Sequence, residues 1–172
     1  MKNTQKLMKL FYLAVSFAVV LSACGNSSYN DRSLILSNED SYTYQKCVDT
    51  GSTDTSLKRE FQGFNGKDTI WMLDATDDAS ISLELSATLS SGKFKVLLVS
   101  EDNDITTLLE GDDTQEASVD LANGTARIIL IGDHANGSCE ITLSEINNVS
   151  VAPPSGGLDS EEWMDDFFDD WM

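Results

Sequence analysis

The sequence predicts an all-β protein, an antiparallel β-sandwich of about eight to ten strands that is followed by a short amphipathic helix at the C-terminus. Between residues 33 and 151, apolar and polar side chains alternate, as they do in strands with one buried face. Pairs such as Asn65-Gly66, Ser91-Gly92 and Asn123-Gly124 separate the alternating runs and are typical of tight turns. No stretch of this region has the periodicity of an amphipathic helix.

The alternating runs also assign individual strands. In Ile128–Ile131 the residues that point to either face of a strand are all apolar, which predicts a central strand that is buried on both faces. Ile105–Leu109 is short, which is typical of an edge strand. The other predicted strands are 33–36, 42–48, 56–62, 69–74, 81–86, 93–98, 119–121 and 139–144.

Length and charge limit the possible functions. With 172 residues, the chain has room for one domain of ordinary size and short extensions. Its 29 acidic and 11 basic residues give a net charge of −18, which repels phosphate backbones and excludes nucleic-acid binding as a main role. The same charge favours a soluble monomer and cationic partners.

Residues 1–23 have the organisation of a signal peptide, which is removed from the mature protein. Lys2, Lys6 and Lys9 form a positively charged start, and the apolar run Leu10–Leu21 follows. A permanent transmembrane helix needs roughly 20 apolar residues, and this run is shorter.

The leader ends in Leu21-Ser22-Ala23-Cys24-Gly25, which resembles the lipobox of bacterial lipoproteins. The resemblance implies cleavage before Cys24 and an anchor of diacylglycerol and palmitate there. Residues 24–32 would then be a flexible tether, and the protein would face outward from a bacterial cell membrane. Losing three lysines and no acid changes the net charge to −21, so acyl chains rather than surface charge must hold the protein. An ordinary secretory signal with an incidental cysteine is the alternative.

Four segments carry a wider resemblance: Phe61–Trp71, Ser91–Val96, Leu121–Ile128 and Gly132–Gly137. Their order of strands and turns resembles small bacterial surface lipoproteins, and it is similar to the jelly-roll-like domain found C-terminal to secreted peptidases. The resemblance spans about 61–145, and it implies that the predicted domain, residues 33–151, is a jelly-roll-like β-sandwich with an accessory role. It implies no reaction and assigns no functional residue.

Cys47 and Cys139 are an even pair in a chain predicted to lie outside the cytoplasm, where disulfides form. Cys139 shares its parity with Ile141 and Leu143, so we expect it to face the core. A Cys47–Cys139 bridge would close a loop of about ninety residues and stabilise the fold by about 4–5 kcal/mol in the chain-entropy model. Two separately buried thiols are the alternative.

Asp49-Thr50-Gly51-Ser52 resembles the Asp-Thr-Gly loop of aspartic proteases. That chemistry needs two carboxylates that share a proton, so a dimeric hydrolase in which each copy supplies Asp49 is a remote alternative. The same residues are ordinary turn formers, and we expect a turn. The sequence has no phosphate-binding loop, dinucleotide fingerprint or Gly-x-Ser-x-Gly elbow, so it predicts neither an enzyme nor a cofactor.

Acidic side chains are the candidates for metal binding. Asp74, Asp77 and Asp78 form one cluster, and Ca²⁺ takes six to eight oxygen ligands that neighbouring loops can supply. The cluster lacks the EF-hand spacing, and acidic turns are common in a chain of this charge. With a single His and no paired-Cys spacing, zinc is not expected either, so the sequence assigns no metal site.

Aromatic side chains are the candidates for sugar binding. The rings of Tyr42, Tyr44 and Trp71 would stack on a sugar if they were exposed. A lone aromatic residue in a strand is more often a core residue, so we expect burial instead.

The C-terminal segment is the most distinctive feature of the sequence. Residues 152–158 contain Pro and Gly and are typical of a linker, and residues 159–172 follow. At 100° per residue, the large apolar side chains of this last segment fall on one side of a helix and the acids on the other. The apolar set is Trp163, Met164, Phe167, Phe168, Trp171 and Met172.

A helix this short is marginal alone in water, so we expect it to order against a surface. That surface could be an apolar groove with a basic rim on a partner protein, the β-sandwich itself, or a membrane, which the charge disfavours. The first gives the leading hypothesis, a membrane-anchored, extracytoplasmic, non-catalytic binding or scaffold module with a docking helix. The second gives a structural lipoprotein whose tail packs on its own domain.

Overall fold

The computed structural model describes residues 28–153, which form an antiparallel β structure with one short helical segment before it. A 3₁₀ turn, Ser28–Asn30, leads into helix α1, Arg32–Leu36. The strands are β1 Ser41–Thr43, β2 Lys46–Asp49, β3 Ser56–Val99, β4 Ile105–Glu110, β5 Asp113–Leu121 and β6 Gly124–Ala152. No helix in the described range is long and apolar enough to cross a membrane.

Strands β3 and β6 organise the sheet. β6 lies between two arms of β3, because residues 56–75 pair with one of its edges and residues 80–99 with the other. β1 and β2 pair with the first arm, and β4 and β5 pair with the second. The end of β6, 149–152, also pairs with 72–75 of the first arm, so the sheet curls back on itself. This curled antiparallel sheet confirms the predicted all-β class.

The strands are fewer and longer than predicted, because four predicted strands are continuous in β3 and two in β6. Two of the predicted turns are bends inside β3. Gly66 has a φ of +107° and Gly92 a φ of +80°, conformations that residues with a Cβ rarely adopt. At Gly66, a Cβ would also collide with the carbonyl oxygen of Ser41 in β1. The backbone therefore bends sharply at these glycines while its neighbours stay paired. The turn predicted at Asn123 does separate β5 from β6.

The main core fills the inside of the curl. The ring of Phe61 lies 5.1 Å from that of Phe94 and 5.8 Å from that of Phe64, measured between centroids. All four residues of Ile128–Ile131 are 0% exposed, which confirms the prediction of a central strand. Ile128 and Leu130 belong to this core, whereas the two residues that alternate with them face a second apolar cluster outside the curl.

That second cluster is covered by the N-terminal strap, residues 29–40. Tyr29 and Ile35 are 3% and 5% exposed and pack on apolar side chains of β3 and β6. The predicted tether 24–32 therefore ends in residues that belong to the folded domain. The sheet side chains under the strap are Leu97, Val99, Ile129 and Ile131.

Within residues 28–153, one predicted element differs in type from the observed one, and it lies in the strap. Residues 33–36 were predicted as a strand, and they lie in α1 instead. The cause is Asp31, whose Oδ1 accepts hydrogen bonds from the N–H groups of Ser33 and Leu34 at 2.9 and 3.4 Å. This N-cap satisfies two donors at the start of the helix and stabilises it over an extended segment.

The buried Lys67 and the half-buried Arg127 hold the end of α1 to the sheet. The Nζ of Lys67, which is 0% exposed, donates to the carbonyl oxygen of Ser37 at 2.6 Å and lies 3.5 Å from the Asp40 carboxylate. Arg127 donates to the carbonyl oxygens of Ser37 and Leu36 at 2.6 and 3.2 Å. Burial lowers the pKa of Lys67 and that of Arg127, and Asp40 opposes this effect for both. Carbonyls at the end of a helix are favourable partners for cations.

A third cation, Lys95, holds the start of the strap. Its Nζ donates to Oδ1 of Asn30 at 3.0 Å and lies 4.2 Å from the centre of the Tyr29 ring. The hydroxyl of Tyr29 in turn donates to the Phe94 carbonyl at 3.1 Å and contacts the Glu110 carboxylate at 3.0 Å. The strap is therefore fixed by polar contacts at both ends and by apolar contacts between them.

We expect Ile35→Ala to lower the free energy of unfolding by about 2–5 kcal/mol, because it leaves a cavity between the strap and the sheet. Urea unfolding of the full chain, followed by circular dichroism, measures the change. Val48→Ala is the control, because Val48 is 37% exposed and its truncation should change stability by no more than about 0.5 kcal/mol. Equal effects of the two substitutions would contradict a structural role for the strap.

Candidate functional site

The sheet leaves an open cleft beside β1 and β2, the edge cleft, with a volume of about 320 Å³. It lies between the loop that follows β2 and the first arm of β3. The side chains that matter for its chemistry are Tyr42, Asp49, Arg59, Asp68 and Trp71.

Arg59 is the centre of the charges in the edge cleft. Its Nε and Nη2 donate to the two carboxylate oxygens of Asp49 at 2.6 and 3.0 Å, and its Nη1 donates to Oδ2 of Asp68 at 2.7 Å. The hydroxyl of Tyr44 donates to the same oxygen of Asp68 at 2.8 Å. Only 14% of the Arg59 side chain and 11% of the Asp68 side chain are exposed. Bidentate pairs of this kind are among the stronger hydrogen bonds in proteins.

The pKa values in this cluster follow from burial and from neighbouring charge. Burial raises the pKa of Asp68, and the hydrogen bond from Tyr44 and the charge of Arg59 offset only part of that rise. Burial and Asp68 together raise the pKa of Tyr44. Burial lowers the pKa of Arg59, but its anionic partners raise the pKa by more than burial lowers it. The guanidinium therefore stays charged. Arg59, Asp49 and Asp68 therefore form an ion-pair cluster. It joins β2 to the parts of β3 on either side of the bend at Gly66.

The three aromatic candidates lie at different depths. Trp71 is 4% exposed and belongs to the core, as expected. Tyr44 is half-buried, and its ring stacks on that of Phe64 at 4.5 Å. Tyr42 is 49% exposed, contrary to the expectation of burial, because it lies on the short strand β1 at the mouth of the edge cleft.

Of the segment Asp49-Thr50-Gly51-Ser52, Asp49 ends strand β2 and the other three residues lie in the turn that leads to β3. The N–H of Thr50 donates to the carbonyl oxygen of Lys58 at 2.8 Å, and the Oγ of Ser52 accepts from the N–H of Lys58 at 3.4 Å. Both carboxylate oxygens of Asp49 accept hydrogen bonds from Arg59. An aspartic hydrolase needs a carboxylate that shares a proton with a second one, and here a guanidinium occupies that position.

Both predicted disulfide partners are free thiols in the structure. Cys139 faces the core as expected, is 3% exposed, and has its pKa raised by burial to about 12. Cys47 lies on the edge strand β2 and pairs with Phe61, whereas Cys139 pairs with Arg59, so the first arm of β3 runs between them. Two strand spacings are about 9.5 Å, and the Cα atoms of a disulfide lie within about 7 Å of each other. The bridge stays a prediction that requires β2 to move.

The acidic cluster lies where the first arm of β3 leads into the second. Asp74 and Asp77 are exposed, and Oδ1 of Asp77 accepts a hydrogen bond from Nδ2 of Asn123 at 3.1 Å. The side chain of Asp78 is not described. Within residues 28–153, no three His, Cys, Asp or Glu side chains lie close enough together to hold a metal ion.

A second cleft, the polar groove, crosses four neighbouring strand segments and has a volume of about 480 Å³. Strand pairing places Lys46 of β2 opposite Gln62 in the first arm of β3. It places Ser138 of β6 between Glu60 of the first arm and Thr88 of the second, opposite both. Cross-strand partners project from the same face of a sheet, and so do Glu60 and Gln62, which are two residues apart on one strand. These side chains therefore form one polar row that runs obliquely across the strands.

Asn136 fixes one end of the polar groove. Its Oδ1 accepts from the N–H of Gly63 at 2.9 Å, and its Nδ2 donates to Oγ of Ser91 at 2.8 Å. The hydroxyl of Ser90 donates to the carbonyl oxygen of Asn136 at 3.1 Å. These bonds hold the bends of β3 against β6 and so determine the shape of the groove at that end.

Sequence reasoning missed both the Arg59 cluster and the polar groove. Arg59 could have been found from the sequence, because it lies two residues from Leu57 and two from Phe61 and so points toward the core with them. A charge in that position needs a partner. The polar groove could not have been found in this way, because its residues come from segments far apart in the chain that only strand pairing brings together.

Several predicted features lie outside the described residues. They are the lipidation site Cys24, the linker beyond residue 153, and the segment 159–172 with the docking residues Trp163, Met164, Phe167, Phe168, Trp171 and Met172.

Comparisons with known proteins found no matching family model and no matching curated protein. Among solved structures, the chain is similar to the enzymatically active domain of tailspike protein 4 from bacteriophage CBA120, at 12% identity and a TM-score of 0.38, over 74% of this chain and 21% of that one. It is also similar to a family 35 carbohydrate-binding module from an environmental isolate, at 16% identity and a TM-score of 0.34, over 66% and 82% of the two chains.

A third similar structure is a variant of a family 29 carbohydrate-binding module, at 15% identity and a TM-score of 0.35, over 67% of this chain and 78% of that one. This chain spans about a fifth of the length of the tailspike domain. At these identities and TM-scores the likeness is loose, and the ligands of those proteins say nothing about this one.

We expect Arg59→Met to lower the free energy of unfolding by about 3–5 kcal/mol, because it leaves the carboxylates of Asp68 and Asp49 without their cation. Lys58→Met is the matched control. Its ion pair with Glu140 is more than half exposed on both sides, so its loss should cost about 1 kcal/mol or less. Chemical denaturation measures both variants, and similar values for the two would contradict the structural role of the Arg59 cluster.

Proposed function

We propose that this protein is a non-catalytic binding module that a lipid anchor at Cys24 holds on the extracytoplasmic face of a bacterial membrane. The polar groove is the observation that supports the binding role. It is an open cleft of about 480 Å³, and its central side chains make no hydrogen bond or ion pair within residues 28–153. Exposed polar groups gathered in a concave surface are available to a ligand.

The side chains that catalysis would need are already engaged or unreactive. Asp49 is held at both oxygens by Arg59, and the buried thiol of Cys139 has a pKa of about 12, far from the value of a reactive thiolate. Asp68 is buried in the same ion-pair cluster as Asp49. The acids of the edge cleft are engaged, whereas the side chains of the polar groove are not, and this distribution favours binding over chemistry.

The position of the strap fits an anchor at Cys24. Tyr29 is fixed in the domain and follows Cys24 by five residues. Five residues span at most about 18 Å, so a lipid on Cys24 would keep the domain close to the membrane surface. The net charge of −21 after cleavage gives no attraction to anionic lipids, and the acyl chains would have to supply the affinity.

We expect Cys24→Ala to abolish lipidation and processing. In cells fed an alkyne analogue of palmitate, this variant should lose the label and keep residues 1–23, which intact mass spectrometry detects. Cys47→Ala is the control and should be labelled and cleaved like the natural chain. Equal labelling of both variants would contradict the anchor, and cleavage of Cys24→Ala without label would favour an ordinary secretory signal.

A second candidate function is docking through the C-terminal segment. Beyond the linker 152–158, a helix over residues 159–172 would have six large apolar side chains on one side and acids on the other. We propose that this segment binds an apolar groove with a basic rim on a partner protein, in the helix-in-groove mode.

We expect deletion of 159–172 to remove that partner from crosslinked pull-downs out of native membranes while leaving the melting temperature within about 1 °C. The double substitution Trp163→Ala/Trp171→Ala should have the same effect, because aromatic side chains contribute most to such interfaces. Retained partners together with a melting temperature lower by several degrees would instead make the segment a structural part of its own domain.

A further inference from the structure

We infer that the polar groove binds an uncharged, hydroxyl-rich chain, that is, a neutral oligosaccharide, and that it does so by hydrogen bonds across the strands. This inference rests on the proposed binding function and names its ligand class.

The polar groove has the shape of a site for a chain rather than a compact molecule. Its row begins at Lys46 and Gln62 and continues through Glu60 and Ser138 to Thr88. Four adjacent strand segments are separated by three spacings of about 4.8 Å, so the row extends for about 14 Å. A ligand that contacts the whole row must be extended and must cross the strands.

The side chains of the row have unused hydrogen-bonding capacity. Within the described part of the chain, those of Lys46, Glu60, Gln62, Thr88 and Ser138 bond to no protein group. An amide and two hydroxyls both donate and accept, an ammonium only donates, and a carboxylate only accepts. Sugar hydroxyls also both donate and accept, so they can use every group in this row. A phosphate or carboxylate ligand would leave the acceptors unused, and a cationic ligand would leave the donors unused.

The local charge separates the polar groove from the rest of the molecule. The whole chain carries −18, whereas the row holds one lysine and one glutamate and is neutral. Anionic polymers are repelled by the chain as a whole, and a cation would find unbalanced acids elsewhere on the surface. The neutral groove therefore matches an uncharged ligand.

The polar groove offers little aromatic surface. The ring in its lining is that of Phe61, which is 2% exposed, and the exposed ring of Tyr42 lines the edge cleft instead. Binding would therefore depend on hydrogen bonds rather than on stacking. Because neither partner carries net charge at the contact, the affinity should be insensitive to salt.

The test uses the full lipidated chain, purified in a detergent without a sugar head group. Neutral hexasaccharides of glucose, mannose, galactose and xylose are titrated by calorimetry, with an oligogalacturonate as the anionic comparator. Gln62→Ala/Thr88→Ala removes two groups of the row. Gln115→Ala/Thr106→Ala is the matched control, because it makes the same changes at exposed positions of β5 and β4.

We expect at least one neutral hexasaccharide to bind with a Kd that changes by less than about twofold between low and high salt. Gln62→Ala/Thr88→Ala should weaken this binding about tenfold or more, since each lost hydrogen bond costs roughly two- to tenfold. The control should leave it unchanged. Thr88→Val replaces the hydroxyl with a methyl group and keeps the branched shape that strands favour. It should weaken binding about threefold even if the double variant melts early.

Three outcomes would overturn the inference: no binding of any neutral hexasaccharide, preference for the anionic comparator with strong salt dependence, or equal affinities of the groove and control variants. These outcomes are independent of the lipid label at Cys24 and of the pull-down partners, which test the proposed function. If the chain is lipid-labelled and recovers a partner but shows no groove-dependent sugar binding, only this inference is overturned. If the natural chain carries no lipid label but binds sugar through the groove, only the proposed anchor is overturned.

Discussion

The fold depends on one strand that is hydrogen-bonded along both edges. β6 lies between the two arms of β3, and its residues Ile128–Ile131 are buried on both faces. Because the strand at each edge of β6 belongs to the same continuous β3, the curl of the sheet follows from this double pairing together with the bends at Gly66 and Gly92. β1, β2, β4 and β5 only extend the two arms. The core and both clefts have the positions they do because β6 is held in this way.

The outer face of β6 creates a problem that the strap solves. Apolar residues there need cover, and Lys67, Lys95 and Arg127 project among them. A buried cation is tolerated only when its hydrogen bonds are made. The carbonyls at the end of α1, with side chains of the strap, supply these bonds. The strap is thus a part of the domain rather than a tether, even though it directly follows the predicted anchor.

The two clefts use polar groups in opposite ways. In the edge cleft, Arg59 engages both Asp49 and Asp68, and the cluster contributes to stability by joining β2 to β3. In the polar groove, side chains from four neighbouring strand segments face solvent without partners among the described residues. Cleft residues that are already satisfied have little to offer a ligand, because binding would have to break bonds that the protein has made. For this reason we propose the polar groove, and not the edge cleft, as the ligand site.

The sequence by itself determined the all-β class, the burial of Ile128–Ile131 and the inward face of Cys139, because alternation and apolar runs report which side chains avoid water. It also supplied the leader and the acidic-aromatic tail as predictions, since both are patterns in local sequence. It misjudged 33–36, where the Asp31 cap outweighed a short apolar run, and it read the bends at Gly66 and Gly92 as turns between strands. Only the tertiary structure decided that Arg59 meets Asp49 and Asp68 and that Glu60, Thr88 and Ser138 share one row. Those contacts join residues distant in the chain, and register between strands is set by the packing of the whole sheet.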